Sequence, residues 1–364
     1  MSKAAELANL IGNINAGGGG VNRNVIINGA MNVAQRNVSA TGLGASSGYF
    51  VCDRWYLYSN ANDGRLTMSQ DSSVPTGKGF ANSLKLDCTT ADTSIGTNES
   101  LQLTQKIESQ NLQSFGKGTS EAKPFAVSFY VKGNASATYV CELMDTDNSN
   151  RHIDKTFNVT TDWTRVELTF PADTTGAFDD DNAQGLNLNI FLHSGSFNTS
   201  GTLQQTWGTL SQSDRIGSGT TSFFDSTDRT FFITGVQLEV GQNATEFEHV
   251  NNFGEELARC QRYFQAYDGG GAGAKFAQGW ATSTTVVQYS IGQQVGMRAN
   301  ATVDASNVKI WDAANEYTIS SVTGATSYDG EVTFQATGSG LTQYRSCSFR
   351  QQASGNGITI DAEL

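Results

Sequence analysis

The residues that could perform acid–base or metal chemistry are scattered along the chain. The histidines His152, His193 and His249 stand beside no cysteine or second histidine, whereas a metal site needs donors at a spacing fixed by a helix or hairpin. Acidic residues gather at 145–147 and 179–181. Solvated turn acids are the first interpretation of these clusters, a loop calcium site the second and a catalytic pair the third. The sequence predicts no catalytic residue, metal site or cofactor.

Aromatic side chains are better candidates for ligand binding. Sugars present flat apolar faces that stack on exposed rings flanked by amide and carboxylate groups. Trp55 and Trp163 lie within strand patterns and are interpreted as core residues. The predicted glycan contacts are Trp207 in a polar loop and, in the last ninety residues, Trp280, Trp311, Tyr317 and Tyr344. For each of them, packing in a core is the alternative.

Strands are the elements that must position these residues. Val127, Phe129 and Val131 alternate with polar residues, and segments 164–170 and 186–192 repeat the pattern. A period of two, repeated many times between polar turns, predicts antiparallel sheets with one solvated face. We therefore predict an all-β fold in which residues 24–250 form a jelly-roll β-sandwich and residues 274–364 form a smaller C-terminal β-sandwich.

Two short helices are predicted outside the sheets. In residues 1–23, a helix over residues 3–11 carries the apolar stripe Leu7, Leu10 and Ile11, followed by the glycine tether 17–20. Such a short helix needs a partner, so this stripe is predicted to attach the chain to another protein or to sister copies, with a frayed terminus as the alternative. Residues 251–273 are predicted as a connecting helix over 254–267, with Leu257 and Phe264 on one face, and a glycine-rich hinge.

Charge and composition narrow the partners. The 364 residues carry a formal net charge of −12 at a pI near 4.7, which opposes binding to nucleic acid or to an anionic membrane surface. No segment approaches the roughly 20 apolar residues of a membrane span, and no signal peptide is recognised. The five cysteines are scattered without a C-x-x-C pair, so we interpret them as small core residues.

The first 250 residues resemble the jelly-roll carbohydrate-binding modules found beside glycan-degrading enzymes. The matching segments, in order, are residues 28–32, Trp55, 83–86, 127–133, 162–166 and 231–240. In those modules, acids after the first turn and in the last strand hold a structural calcium. This chain has Met31 and Asn32 at the first place and Thr234 and Gly235 at the second. The calcium site is therefore not expected here.

Residues 1 to about 265 resemble more specifically the tail-fibre and virion-surface proteins of tailed bacteriophages, above all marine ones. The shared segments, in order, are residues 28–29, 35–36, 53–55, 235–241, 247–249 and 260–264. The resemblance implies a virion structural protein, made in the host cytoplasm, not an enzyme and trimeric, which attaches by its N-terminus to other virion proteins and adheres to host surface polysaccharide. A capsid decoration or head-fibre protein without a receptor role is one alternative, and a glycan depolymerase is the second.

Overall fold

The computed structural model describes residues 3–5, 7–8, 23–250, 252–328 and 331–364. The described chain divides into two compact units, the N-terminal unit ending at Phe253 and the C-terminal unit running from Gly254 to Glu363. The strands of the N-terminal unit are β1 Ser39–Leu43, β2 Gly48–Tyr49, β3 Tyr56–Asn60, β4 Arg65–Asp71, β5 Ser83–Thr90, β6 Ser100–Glu108, β7 Phe125–Gly133, β8 Ala137–Asp145, β9 Arg151–Val159, β10 Thr164–Phe170, β11 Gln184–Ser194 and β12 Thr230–Val240.

Two antiparallel six-stranded sheets form the N-terminal unit. Their orders are β1-β4-β5-β12-β7-β10 and β2-β3-β6-β11-β8-β9. The alternating residues predicted to face inward are buried, including Val127, Phe129 and Val131 of β7, and Trp55 is fully buried. Its indole N–H donates to the Asn28 carbonyl at 3.1 Å. The predicted jelly roll is confirmed by this strand order and core.

The outer face of the second sheet was predicted to be solvated, but part of it is buried. Val140 of β8 and Phe191 of β11 point away from the core, yet both are buried against Leu203 and Ile216. These two residues belong to segment 195–222, which contains the short helix Ser196–Thr199 and the 3-10 turn Gln212–Asp214. A long connection between β11 and β12 therefore covers part of this sheet, which a period of two within single strands does not reveal.

The C-terminal unit is a second β-sandwich, as predicted. Its strands are β13 Phe264–Tyr267, β14 Lys275–Ala281, β15 Val286–Gly292, β16 Thr302–Asp304, β17 Val308–Trp311, β18 Glu316–Thr318, β19 Ser321–Tyr328, β20 Glu331–Thr337, β21 Ser346–Gln351 and β22 Ile358–Asp361. They form a three-stranded sheet, β13-β22-β16, and a seven-stranded sheet, β18-β17-β21-β14-β15-β20-β19. Ile310, Phe349, Ile358 and Ile360 are among the core residues between them.

The connecting helix is shorter than predicted. It spans Phe253–Gln261, and Phe264–Tyr267 is a strand paired with β22. Phe264 is buried in that strand, so the predicted helical face with Leu257 is wrong. The apolar spacing at 260, 264 and 267 suits a helix, but pairing with a strand almost a hundred residues later decides the conformation.

Near the N-terminus, residues 3–5 and 7–8 are helical, and Leu7 is 57% exposed. Leu10, Ile11 and the glycine tether lie outside the described residues. No helix of the described chain is long and apolar enough to cross a membrane. The five cysteines are free and buried, as predicted. A 3-10 helix, Ser109–Phe115, follows β6.

Candidate functional site

Trp280 and Trp311, which were predicted as glycan contacts, lie on one face of the seven-stranded sheet of the C-terminal unit. Trp311 of β17 pairs with Ser348 of β21, and Ser348 pairs with Gln278 of β14. Trp280 stands two residues after Gln278 and pairs with Ser346. Directly opposed residues of antiparallel strands share a face, as do residues i and i+2. The core residues Ile310, Cys347 and Phe349 occupy the other face.

Trp280 and Trp311 form a spaced pair on this face, which we call the tryptophan face. Two strand spacings and two residues place their Cα atoms about 12 Å apart. Trp280 is 52% exposed, whereas tryptophan side chains are on average largely buried. An exposed tryptophan is therefore a candidate contact for a ligand or a partner protein. Gly279 precedes it, and a Cβ there would lie 1.9 Å from the Gln288 carbonyl oxygen. Glycine therefore lets β15 pair closely beside Trp280.

A cleft of about 440 Å³ opens beside Trp311. Lys275 Nζ lies 3.2 Å from the centroid of the Trp311 ring, a close cation–π contact. The lining residues are Lys275, Ala277, Gln278, Trp311, Ala313, Ser346, Cys347 and Ser348. The cleft therefore combines one aromatic ring, one cation, one amide and two hydroxyl groups. Such a mixture of a stacking surface with few placed polar groups suits a small polar ligand with apolar faces.

Ser348 supplies an unsatisfied hydroxyl in this cleft. The residue is 8% exposed, and its Oγ has no hydrogen-bond partner among the described residues. A buried hydroxyl without a partner costs free energy, so it is expected to bond to water or to a ligand. The same face carries Gln288 and Gln335, which oppose each other on β15 and β20.

Tyr344 and Tyr317, also predicted as contacts, have different surroundings. Tyr344 is 79% exposed and has a φ of 66°, a conformation that costs free energy for a bulky residue. Its N–H donates to the carbonyl of Ala281, next to Trp280. Tyr317 packs against the core and donates its hydroxyl to Asp312 at 3.1 Å. Tyr317 therefore supports the turn that follows Trp311.

Asp312 is the anchor of that turn. It is 1% exposed and accepts hydrogen bonds from the N–H groups of Ala314 and Asn315 as well as from Tyr317. Arg345 lies 3.4 Å from it. Burial raises the pKa of Asp312, but these hydrogen bonds and the Arg345 charge outweigh burial and leave the pKa below its usual value. A charged Asp312 thus fixes the chain beside the cleft.

Trp207, the predicted contact of the N-terminal unit, is used for packing. It is half-buried against the jelly-roll core, with its ring 5.6 Å from that of Phe125. Its indole N–H donates to the Pro171 carbonyl at 2.7 Å, and Lys117 Nζ lies 5.7 Å from its ring. The residue lies in a loop, as predicted, but its position favours the alternative of packing, and it is not included in the tryptophan face.

The acids at 145–147 also differ from the prediction of solvated turn residues. The side chains of Asp145 and Lys117 are both fully buried, and Lys117 Nζ lies 2.5 Å from Asp145 Oδ2. Asp147 accepts from the Ser109 hydroxyl at 2.9 Å and from the Asp179 N–H at 3.0 Å. Asp179, Asp180 and Asp181 are exposed, which agrees with solvated turn residues. The carboxylates of Asp145 and Asp147 are therefore already paired with other groups of the protein.

Two clusters of histidine with carboxylates were missed by the sequence analysis. In one, single ligand atoms of Glu142, His152 and Asp154 lie within 4.8 Å of one another. In the other, Asp92, Glu99 and His193 do so. All six residues are buried. Residues 142, 152 and 154 face one another across the β8–β9 pair, a signal available only once the register is known. The third histidine, His249, lies outside both clusters, and its Nε2 lies 3.0 Å from the Lys78 carbonyl oxygen.

No protein-family model matches the chain, and comparison with curated proteins gives no match. Among solved structures, the chain is similar to the enzymatically active domain of tailspike protein 4 of bacteriophage CBA120, at 13% identity and a TM-score of 0.32. That match covers 60% of this chain and 21% of the tailspike chain. A CBM4 carbohydrate-binding module is similar at 14% identity and a TM-score of 0.30, with 58% and 97% covered. The carbohydrate-binding module TmCBM61, in complex with β-1,4-galactotriose, is similar at 9% identity and a TM-score of 0.29, with 60% and 99% covered.

Proposed function

We propose that this chain is a non-enzymatic glycan-binding protein whose tryptophan face binds a polysaccharide. The observation that carries the proposal is the placement of Trp280 and Trp311 on one face, with the unpartnered Ser348 hydroxyl between their strands. Separate sugar rings of one chain can stack on the two indoles, while Ser348, Ser346 and Gln278 hydrogen-bond to sugar hydroxyl groups. The exposed ring of Tyr344 extends the surface beyond Trp280.

Lys275 favours a polysaccharide that contains acidic sugars. Within the described chain its ammonium group contacts Trp311 but forms no ion pair. The nearby cations differ, since Lys309 and Arg350 pair with Glu316, and Arg345 pairs with Asp312. A sugar carboxylate entering the cleft would meet Lys275 as its counter-ion. Single sites of this kind are weak, and several copies on one particle would raise the overall affinity.

A binding experiment with the full chain tests this proposal. We expect a uronic-acid polysaccharide to bind, and we expect Trp311→Ala and Trp280→Ala each to weaken binding at least tenfold, because a lost stacking ring removes a dominant contact. Lys275→Met should weaken binding of the acidic polymer while leaving a neutral analogue unaffected. Calorimetric titration measures all three effects.

Tyr58→Ala is the matched control, since Tyr58 is an aromatic residue that is 37% exposed and belongs to the jelly roll, whereas the tryptophan face belongs to the C-terminal unit. Its affinity should equal that of the unaltered chain. If Tyr58→Ala abolished binding and Trp311→Ala did not, the glycan site would lie on the jelly roll and the proposal would be wrong.

At the level of the particle, we propose a phage tail fibre that attaches by its N-terminal segment and adheres to host polysaccharide as a homotrimer. The sequence motifs that this chain shares with virion proteins, in the same order along the chain, support this role. The exposed Leu7, which belongs to the predicted attachment stripe, also supports it. An antibody against residues 270–364 should label the tail in electron micrographs of the particle. Label spread over the head would instead favour a capsid decoration protein. Release of sugar fragments from the bound polysaccharide would favour a depolymerase.

A further inference from the structure

A buried acidic cluster lies where three segments of the jelly roll meet. Asp92 and Glu99 belong to the connection between β5 and β6, and His193 lies near the end of β11. Backbone hydrogen bonds hold the segments together, from the Asp92 N–H to the Phe224 carbonyl and from the Gly195 N–H to the Glu99 carbonyl, each at 2.8 Å. Ser222 and Phe224, in the connection between β11 and β12, complete the wall. The cluster is therefore held by backbone structure.

The charges of this cluster are not balanced by protein cations. Asp92 is 8% exposed, Glu99 4% and His193 2%. Within the described chain, no lysine or arginine forms an ion pair with either carboxylate, and the side chain that contacts the Glu99 carboxylate is that of His193, with Nε2 2.9 Å from Oε2. Asp92 Oδ2 is buried and has no hydrogen-bond partner among the described residues. A buried carboxylate oxygen without a proton donor is costly, and a bound cation removes that cost.

Hydrogen bonds orient the three side chains toward one another. The Ser94 N–H donates to Asp92 Oδ1 at 3.0 Å, and the Gly96 N–H donates to Glu99 Oε1 at 2.8 Å. These bonds occupy Asp92 Oδ1 and Glu99 Oε1. Asp92 Oδ2 has no protein donor among the described residues, and Glu99 Oε2 faces His193 Nε2 at 2.9 Å. The His193 ring is fixed from behind, since its Nδ1 lies 2.8 Å from Ser222 Oγ. Ligating imidazoles usually have such a partner on the second nitrogen.

The second histidine cluster has a different charge balance. Arg215 contacts Glu142 through two hydrogen bonds, of 2.8 Å from Nε and 2.6 Å from Nη2. Asn189 donates to the same carboxylate at 2.7 Å. The guanidinium already supplies a positive charge there. His152 Nδ1 lies 2.9 Å from Asp154 Oδ2, although neither atom forms a hydrogen bond within the described residues. A metal ion is therefore less favoured at Glu142 than at Asp92.

We propose that Asp92, Glu99 and His193 form a binding site for one divalent transition-metal ion of the zinc class. One imidazole and two carboxylates suit zinc, whereas calcium prefers six to eight oxygen ligands. The ligand atoms lie within 4.8 Å of one another, so small side-chain movements bring them to zinc bond lengths of about 2.0–2.2 Å. The ion joins the β5–β6 connection to β11 and so stabilises the jelly roll.

Metal binding fixes the tautomer of His193. Both ring nitrogens have a partner, since Nε2 lies 2.9 Å from Glu99 Oε2 and Nδ1 lies 2.8 Å from Ser222 Oγ. With metal, Nε2 provides its lone pair to the ion, the proton resides on Nδ1, and Ser222 Oγ accepts from it. Ser222 Oγ already accepts from the Phe224 N–H at 3.0 Å and has a second lone pair for this bond.

The test uses the full chain after removal of metals with EDTA and dialysis against zinc chloride. We expect one zinc per chain by elemental analysis and a rise in Tm of several degrees. Asp92→Asn and His193→Gln should each weaken zinc binding at least tenfold. Asp92→Asn relieves an unbalanced charge, so it should fold and should be at least as stable as the metal-free unaltered chain.

Asp154→Asn is the matched control at the other histidine cluster and should retain one zinc. The site would be wrongly placed if zinc survived Asp92→Asn and was lost in Asp154→Asn. The proposal would also fail if zinc bound only in substoichiometric amounts and left Tm unchanged, which would indicate an adventitious ion only.

Discussion

Buried charged side chains of the jelly roll form pairs that span distant parts of the sequence. Lys117 contacts Asp145 and lies 3.3 Å from Asp173, and Arg215 holds Glu142. Removing one partner leaves an uncompensated buried charge, which is strongly destabilising. Asp145 could not be recognised as buried from sequence, because its partner lies 28 residues earlier and the local pattern is that of a turn. The histidine clusters were missed for the same reason.

Glu142→Gln provides a test at the residue scale. Burial raises the pKa of Glu142, but the charge and hydrogen bonds of Arg215, together with His152, outweigh it and lower the pKa from 4.5 to about 2. A lowered folded-state pKa gives stability that is present above pH 4.5 and is lost as the pH falls through 2. The variant should therefore be less stable by about 3 kcal/mol at pH 7 and should lose less stability on acidification.

Urea unfolding at pH 7, 4.5 and 3 measures this difference. The two stability curves should converge as the pH falls. If they remained parallel from pH 7 to pH 3, the carboxylate of Glu142 would not be held in its charged form by Arg215.

Strand β12 shows how an element depends on a single residue. It lies between β5 and β7, and its register with β7 shifts between Thr234 and Gln237. Gly235, within the shift, has a φ of 64°. A Cβ there would lie 2.5 Å from Cζ of Phe80 and 3.1 Å from Cδ2 of Tyr130. Glycine therefore permits the bulge that bends this central strand.

Gly235→Ala should destabilise the jelly roll by about 2–4 kcal/mol, since it adds a clash to an unfavourable backbone conformation. Gly77→Ala is the matched control, because Gly77 has a φ of 73° and open space around it. It should cost only about 1–2 kcal/mol. Denaturant unfolding of both variants decides the point, and equal losses would show that Phe80 and Tyr130 do not constrain the bulge.

Local sequence patterns predicted the strands well, but they did not predict which strands and side chains contact one another. Alternation identified β7, β10 and β11 with their inward residues, because a period of two is a property of each strand alone. The segment 264–267 was predicted as helix because its apolar spacing fits both conformations, and only pairing with β22 distinguishes them. Trp280 and Trp311 were singled out by residue type alone, and their common face follows only from the register of three strands.

As a whole, the molecule combines two β-sandwich units with different surfaces. In the jelly roll, Trp55 and the histidine clusters are buried and Trp207 is half-buried, while Tyr58 and Phe197 are exposed. The C-terminal unit exposes Trp280 and Tyr344. A net charge of −12 disfavours anionic partners in general, so an acidic glycan would bind only where Lys275 and stacking outweigh that repulsion.

We expect the affinity for the acidic glycan to rise with salt at low ionic strength. We also expect Lys275→Met to abolish the preference of the protein for acidic over neutral sugars.

The most direct measurement is a titration of the full chain with an acidic polysaccharide fragment, observed through the five tryptophan indole N–H signals in nuclear magnetic resonance spectra. Trp→Phe variants assign the signals. We predict that Trp280 and Trp311 shift in a saturable manner, while Trp55, Trp163 and Trp207 do not. Shifts confined to Trp163 or Trp207, or no shift at any indole while the fragment binds, would contradict a glycan site on the tryptophan face.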